Sequence, residues 1–278
     1  MLGNVWRAVL PTDTCYHTLW LCDLCERGAV LEAEVNELSP PSPGRDADSN
    51  SELIYPRYLP TGARTEEGFP RPSHFGISDY EECKLITPDG ETLVCFLIRP
   101  SNKLLSRKVT VLMFHGNAGN IGHRVPIAKV IEEHSGCNIF MLEYRGYGLS
   151  TGEPDEAGLV VDAQTALDYI RQHNDTKGND IIVYGQSIGG AVAVQLVAKN
   201  QEEEDVKGLI LENTFTSMRK LIPTYGNAPC ARWRRLTCSQ CLSTCEVPCR
   251  IMPSKMEYRR VSTQDHKGAY SLSEWVEG

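Results

Sequence analysis

Four short apolar runs constrain the fold of this chain more than any other feature: VTVLMF at 109–114, NIFML at 138–142, DIIVY at 180–184 and KGLIL at 207–211. A strand without polar alternation must be covered on both faces, and parallel strands between two helix layers meet that condition. The runs are separated by segments of helical length. In the one from Asp155 to His173, Val160, Ala163, Leu167 and Ile170 recur every three or four residues, which lines one helix face. Upstream, ECKLITPDGETLVCFLIRP places β-prone runs on either side of Pro88-Asp89-Gly90 and reads as a hairpin. The expected fold is α/β, a mostly parallel sheet with helices on both faces, opened by that hairpin.

The ends of the chain differ in character. Residues 39–50, SPPSPGRDADSN, are Pro, Ser and Asp with hardly an aliphatic among them, the composition of a linker. We read 1–50 as a loosely ordered arm and 51–225 as the core. From Gly226 to Gly278 there are seven Val, Leu and Ile in 53 residues, none in a run. Such a segment lacks the material for a buried parallel strand, so the sheet is expected to end near residue 211 and 226–278 to form a poorly ordered Cys/Arg-rich tail.

Charge and cysteine usage exclude several classes. A net charge of −8 offers no basic face for phosphates, so no nucleic-acid partner is expected. Eleven scattered cysteines, an odd number, do not form a secreted disulfide framework, and a reduced, cytoplasmic compartment is expected. Pro11, Asp13, His17 and Asp23 interrupt the apolar residues of the N-terminus, so no signal core and no run long enough to span a bilayer is present. In the tail, Cys238-x-x-Cys241 has a metal-knuckle spacing, but Cys245 follows after only three residues, too soon for the second half of a zinc site. No metal and no organic cofactor is expected.

The chemistry concentrates at YGQSIGG, where Ser187 stands between Gly185 and Gly189. A GxSxG pattern alone is weak. Here it joins a buried strand to a helix of small and aliphatic residues, the setting that a nucleophile on a sharp turn requires. The helix start also aims amide hydrogens and a positive dipole at the place where an oxyanion would form. The glycine-rich loop HGNAGNIG follows the strand 109–114 directly and is positioned to supply a second N–H. Ser187 is thus the candidate nucleophile, with the backbone N–H groups of Asn117 and Ile188 as the oxyanion donors. The alternative for the loop is a strand-to-helix turn in which His115 packs or caps.

HGNAGN, EYRGYGLSTGEP, YGQSIGGAVA and LENTFTSMRKLIP, with LIYPR and TPDG upstream, occur in this order and at similar spacing in the Bem46-like α/β-hydrolase domain proteins, which the chain resembles over about residues 53–225. The resemblance implies an α/β-hydrolase fold and serine-hydrolase chemistry on acyl esters or thioesters. It also implies small-molecule or acylated-protein substrates. The family's nucleophile falls on Ser187 and its oxyanion loop on residues 115–120. Many members carry an N-terminal membrane anchor that this arm lacks, which leaves peripheral attachment to an intracellular membrane as the alternative to a purely cytoplasmic protein.

The resemblance stops near Tyr225. In this fold the triad runs Ser, then Asp or Glu, then His along the chain. His266 is the sole histidine after Ser187, and Asp265-His266 is the candidate pair of partners; Asp205, in the charge run EEED, reads as a solvated loop. The family segments LSGxxDEIVPP and GxHND, which hold its acid and base, are absent, and the last one or two strands of the sheet are expected to be missing with them. A family core joined to an unrelated C-terminal sequence, as a shifted reading frame or altered splice would produce, accounts for this. The alternative function is a hydrolase-fold protein with an incomplete triad and a binding role or none.

Overall fold

The computed structural model describes residues 54–104, 106–214, 247 and 249–252, the last four as backbone. A hairpin, β1 (Tyr80–Ile86) and β2 (Thr92–Ile98), precedes the alternating part: β3 (Val109–Phe114), α1 (Val125–Ser135), β4 (Asn138–Leu142), α2 (Glu156–Gln172), β5 (Asp180–Gln186), α3 (Ile188–Lys199) and β6 (Val206–Glu212). A seventh described strand, β7, covers Cys249–Met252. All seven form one sheet in the order β1-β2-β4-β3-β5-β6-β7. The hairpin joins antiparallel, through β2 against β4, and every pairing from β4 to β7 is parallel.

The hairpin, the four apolar runs, the amphipathic segment from Asp155 to His173 and the helix of small and aliphatic residues after Ser187 all lie where the sequence places them. The exception is the end of the sheet. It does not stop near residue 211, because β7 pairs with β6 from Leu209↔Cys249 to Glu212↔Met252. Four residues at one edge need only one neighbour and can do without a long apolar run, which is why composition hid the strand.

Strand geometry sorts the apolar side chains into two layers. Leu93, Cys95 and Leu97 of β2 face one core with Leu112, Phe114, Phe140 and Val183, covered by Leu159, Ala163 and Ile170 of α2 and by α3. Val94, Phe96 and Ile98 face the other with Val111, Met113, Ile139 and Tyr184, covered by Ile121 and by Val125 and Ala128 of α1. Each such aliphatic or aromatic side chain contributes about 2 kcal/mol through burial. With both faces filled, the carboxyl ends of β3 and β5 form a stiff rim.

The helices are cut to length by local chemistry. The carboxylate of Asp155 accepts from Gly158 N–H at 2.6 Å and starts α2. Gly136, at φ 66°, closes α1 by donating its N–H to Glu132 O. Among the described residues no helix is long and apolar enough to cross a membrane.

Candidate active site

Ser187 sits between β5 and α3 with φ 53° and ψ −116°, one of two non-glycine residues with positive φ among those described. A serine held there costs about 1–3 kcal/mol of backbone strain, so the surroundings must fix it. Its N–H donates to Glu212 O (2.9 Å), its carbonyl accepts from Gly190 N–H (3.0 Å), and the Thr214 hydroxyl donates to the same carbonyl (3.0 Å). The glycines on either side are required by close approach. A Cβ on Gly185 would strike the backbone of Gly189 and come within 2.6 Å of Gly190 Cα. One on Gly189 would strike Phe114 O and lie 2.7 Å from His115 O. The residue itself is only partly buried, so its hydroxyl stands at the rim rather than in the core.

The HGNAGN loop lies beside it. The parallel register Phe114↔Gly185 makes the chain leave β3 next to the Ser187 turn. A Cβ built on Gly116 would be 3.7 Å from Ser187 Cβ and 3.3 Å from Gln186 Oε1. The N–H of Ile188 opens α3 and, like every first-turn amide, has no acceptor within its helix. The Asn117 N–H has no backbone acceptor among the described residues. Both expected donors therefore come from the two chain segments that flank Ser187.

Buried polar groups that no local motif announces fix the loop. Glu143, fully buried at the end of β4, accepts from Ile121 N–H through Oε2 at 2.9 Å. Its Oε1 lies 3.1 Å from His115 Nε2, within ion-pair distance but outside hydrogen-bond geometry. His115 is packed as the alternative reading of the loop had it, with Nδ1 2.7 Å from Gly116 O and its ring 4.3 Å from that of Tyr144. Asn120 donates its amide to Ala63 O and Gly68 O, both at 2.8 Å, and accepts from His123 N–H. The Tyr147 hydroxyl donates to Asn117 Oδ1 at 3.1 Å, and Arg124 Nη2 to Ala118 O at 3.0 Å. Burial drives the Tyr147 phenol upward, so it stays protonated and a donor. Tyr184 is likewise raised, by burial first and then by Glu212, to whose carboxylate its hydroxyl donates.

Two acids are excluded from the chemistry by their partners. Asp205 is no free loop carboxylate: Arg171 grips it with two bonds, Nε to Oδ2 at 2.6 Å and Nη2 to Oδ1 at 2.8 Å, and holds its carboxyl below the usual range. Asp162, fully buried in α2, is bound by Arg145 through the backbone N–H (2.8 Å) and Nε (2.9 Å). Asp265 and His266 lie outside the described residues, as do Cys238, Cys241 and Cys245. Among the described residues no histidine hydrogen-bonds to Ser187, and both ring nitrogens of His115 are directed elsewhere. Glu81, His173 and Asp175 come close enough together to hold a metal ion. Arg99 already occupies that cluster, bonding Glu81 at 2.6 Å and Asp175 at 2.7 Å, so it is an ion-pair network.

Comparison with known proteins supports the fold and the family. A family model described as serine aminopeptidase, S33 (Hydrolase_4) matches residues 106–267. Protein bem46 of Schizosaccharomyces pombe is 49% identical over 184 residues, covering 65% of this chain and 60% of that protein. The chain thus spans less than two thirds of that relative's length. Among solved structures, an α/β hydrolase from Vibrio vulnificus superposes with a TM-score of 0.60 at 20% identity, covering 74% of this chain and 75% of the other. An esterase from Pyrococcus furiosus gives a TM-score of 0.51 at 15% identity, covering 68% and 76%. These two likenesses concern the fold alone.

Proposed function

We propose that this chain, which belongs to the serine aminopeptidase S33 family and is a Bem46-like α/β hydrolase, is a serine hydrolase that cleaves acyl esters or thioesters through Ser187. One observation carries the reading: a strained, rim-exposed serine has a glycine-rich loop from the neighbouring strand packed against it, with an unused amide on each side. Ser187 Oγ attacks the carbonyl carbon while its proton passes to a base. The carbonyl oxygen becomes an oxyanion facing the N–H groups of Ile188 and Asn117, and the tetrahedral species collapses with loss of alkoxide or thiolate. Water then releases the acid from the acyl-enzyme.

The order of triad residues in this fold puts the base after Ser187, where His266, beside Asp265, is the sole histidine. A small molecule or an acylated protein is the proposed substrate. Cys83, Cys95 and Cys137 are free and buried, which favours a reducing, cytoplasmic setting. Peripheral attachment to an intracellular membrane is the alternative location.

A second reading has its own support. The sequence lacks the segments LSGxxDEIVPP and GxHND that hold the family's acid and base, and a chain without that base would hold an acyl group without turning it over, since loss of the base costs on the order of a millionfold in turnover. An alkyl fluorophosphonate probe separates the two. Covalent labelling that disappears in Ser187→Ala, together with hydrolysis of a para-nitrophenyl ester, is the expected result. Folded protein that neither labels nor turns over would reject the hydrolase and leave the binding role.

A further inference from the structure

Among the described residues, Arg124 lies beside Ser187 and is left unused by the hydrolase reading. Its Nη2 donates to Ala118 O, its buried Nε has no hydrogen-bond partner, and no carboxylate among the described residues reaches it within ion-pair distance. The acids acting on it do so only through space, and each is committed elsewhere: Glu143 to Ile121 N–H and Glu212 to the Tyr184 hydroxyl. Among the described residues this half-buried guanidinium has no carboxylate partner, and a guanidinium whose Nε is shut off from water without one is expensive to keep unless an anion meets it. Burial lowers its pKa, but a guanidinium remains charged at any physiological pH.

Its position turns this cost into recognition. A Cβ on Gly116 would fall 3.8 Å from Arg124 Nη2 and 3.7 Å from Ser187 Cβ. The guanidinium and the nucleophile therefore flank the same glycine, and its missing side chain leaves a gap about one methyl wide between them. Gln186 Oε1 borders the gap at 3.3 Å. We propose that Arg124 is a specificity residue that binds an anionic group, carboxylate or phosphate, carried by the acyl substrate a few bonds from the carbonyl that Ser187 attacks. This rests on the hydrolase reading of Ser187 and narrows its substrate class. The planar fork of arginine suits both anions, which share bidentate oxygen geometry.

The test uses the full chain and two independent readouts. The first compares para-nitrophenyl hemisuccinate with neutral para-nitrophenyl valerate, of similar acyl length. Replacing Arg124 by Met should lower the ratio of kcat/KM for the anionic over the neutral ester by on the order of tenfold or more. Equal losses on both esters would mean that Arg124 only props the loop through Ala118, and would overturn the proposal. The second needs no turnover: inorganic phosphate, against chloride at equal ionic strength, should raise Tm by roughly 2–4 °C in the parent chain and in the exposed-surface control Arg107→Met, but not in Arg124→Met. No rise in the parent, or the same rise in Arg124→Met, overturns the site. Should Arg124→Met fail to fold, Arg124→Lys takes its place, with a reduced but nonzero ester ratio and phosphate shift expected; unchanged values would count against the fork. If Ser187 does not react with fluorophosphonate while the phosphate shift depends on Arg124, the hydrolase reading fails and the anion site stands.

Discussion

The two segments that meet at the site are held by different means. The Ser187 turn is fixed mainly by backbone against backbone: glycines at 185 and 189 let β5, α3 and the end of β3 touch, and Glu212 O takes the serine N–H, with the Thr214 hydroxyl the one side chain bonded to it among the described residues. The HGNAGN loop is fixed by side chains that arrive from far along the chain, Glu143 at Ile121, Tyr147 at Asn117, and Asn120 reaching back to Ala63 and Gly68. Steric fixation tolerates no added atom. Polar fixation yields in steps, one bond at a time.

The contrast can be broken most sharply in the turn. Gly189→Ala should cost about 3 kcal/mol or more, because the methyl meets carbonyl oxygens of the sheet that cannot move aside; chemical denaturation measures it, and a near-neutral result would refute steric fixation. Next in size is Glu143→Ala, which orphans the buried Ile121 N–H and should lose about 2–3 kcal/mol while the chain still folds. Fluorophosphonate labelling of Ser187 should slow in this variant, and Glu143→Gln, which keeps an acceptor oxygen, should recover part of both losses. Tyr147→Phe removes one bond to Asn117 and should slow labelling about fivefold, near 1 kcal/mol, with little change in stability.

The smallest effect is expected away from both segments. Arg145 ties the hairpin turn to the sheet through Asp89, at 2.6 Å, and holds that exposed carboxyl below its usual range. A depressed carboxylate stabilises above its unfolded pKa and loses that contribution as pH falls toward its folded value. Asp89→Asn should therefore cost less than about 1 kcal/mol at neutral pH, and the difference from the parent should shrink below about pH 4. Labelling of Ser187 should not change; a slower rate would mean that the hairpin communicates with the site.

The same contrast explains what the sequence made legible. The turn was readable because sterics write themselves into neighbouring positions: Gly185 and Gly189 bracket Ser187, and the apolar strand before it is unmistakable. The parallel strands, the hairpin and the helix from Glu156 to Gln172 were readable for similar local reasons. The roles of Glu143 and Arg124 were not, because each depends on a partner brought close only by the fold. EYRGYG does carry Glu143 and Tyr147 side by side, and an acid closing an apolar strand was the one available signal. Asp205 does lie in a turn, as its charge run suggests, but its ion pair was not legible because the partner Arg171 is 34 residues away. β7 escaped because an edge strand of four residues leaves almost no pattern in composition.

The pairing of Phe114 with Gly185 gives the molecule a built-in gauge. Both amides that would receive an oxyanion are measured off from that one rung, each a few residues beyond it, Asn117 in the loop after β3 and Ile188 at the start of α3. Lengthening surface connections elsewhere would leave their separation untouched, whereas a single residue inserted into either strand would throw one hydrogen out of step with the other.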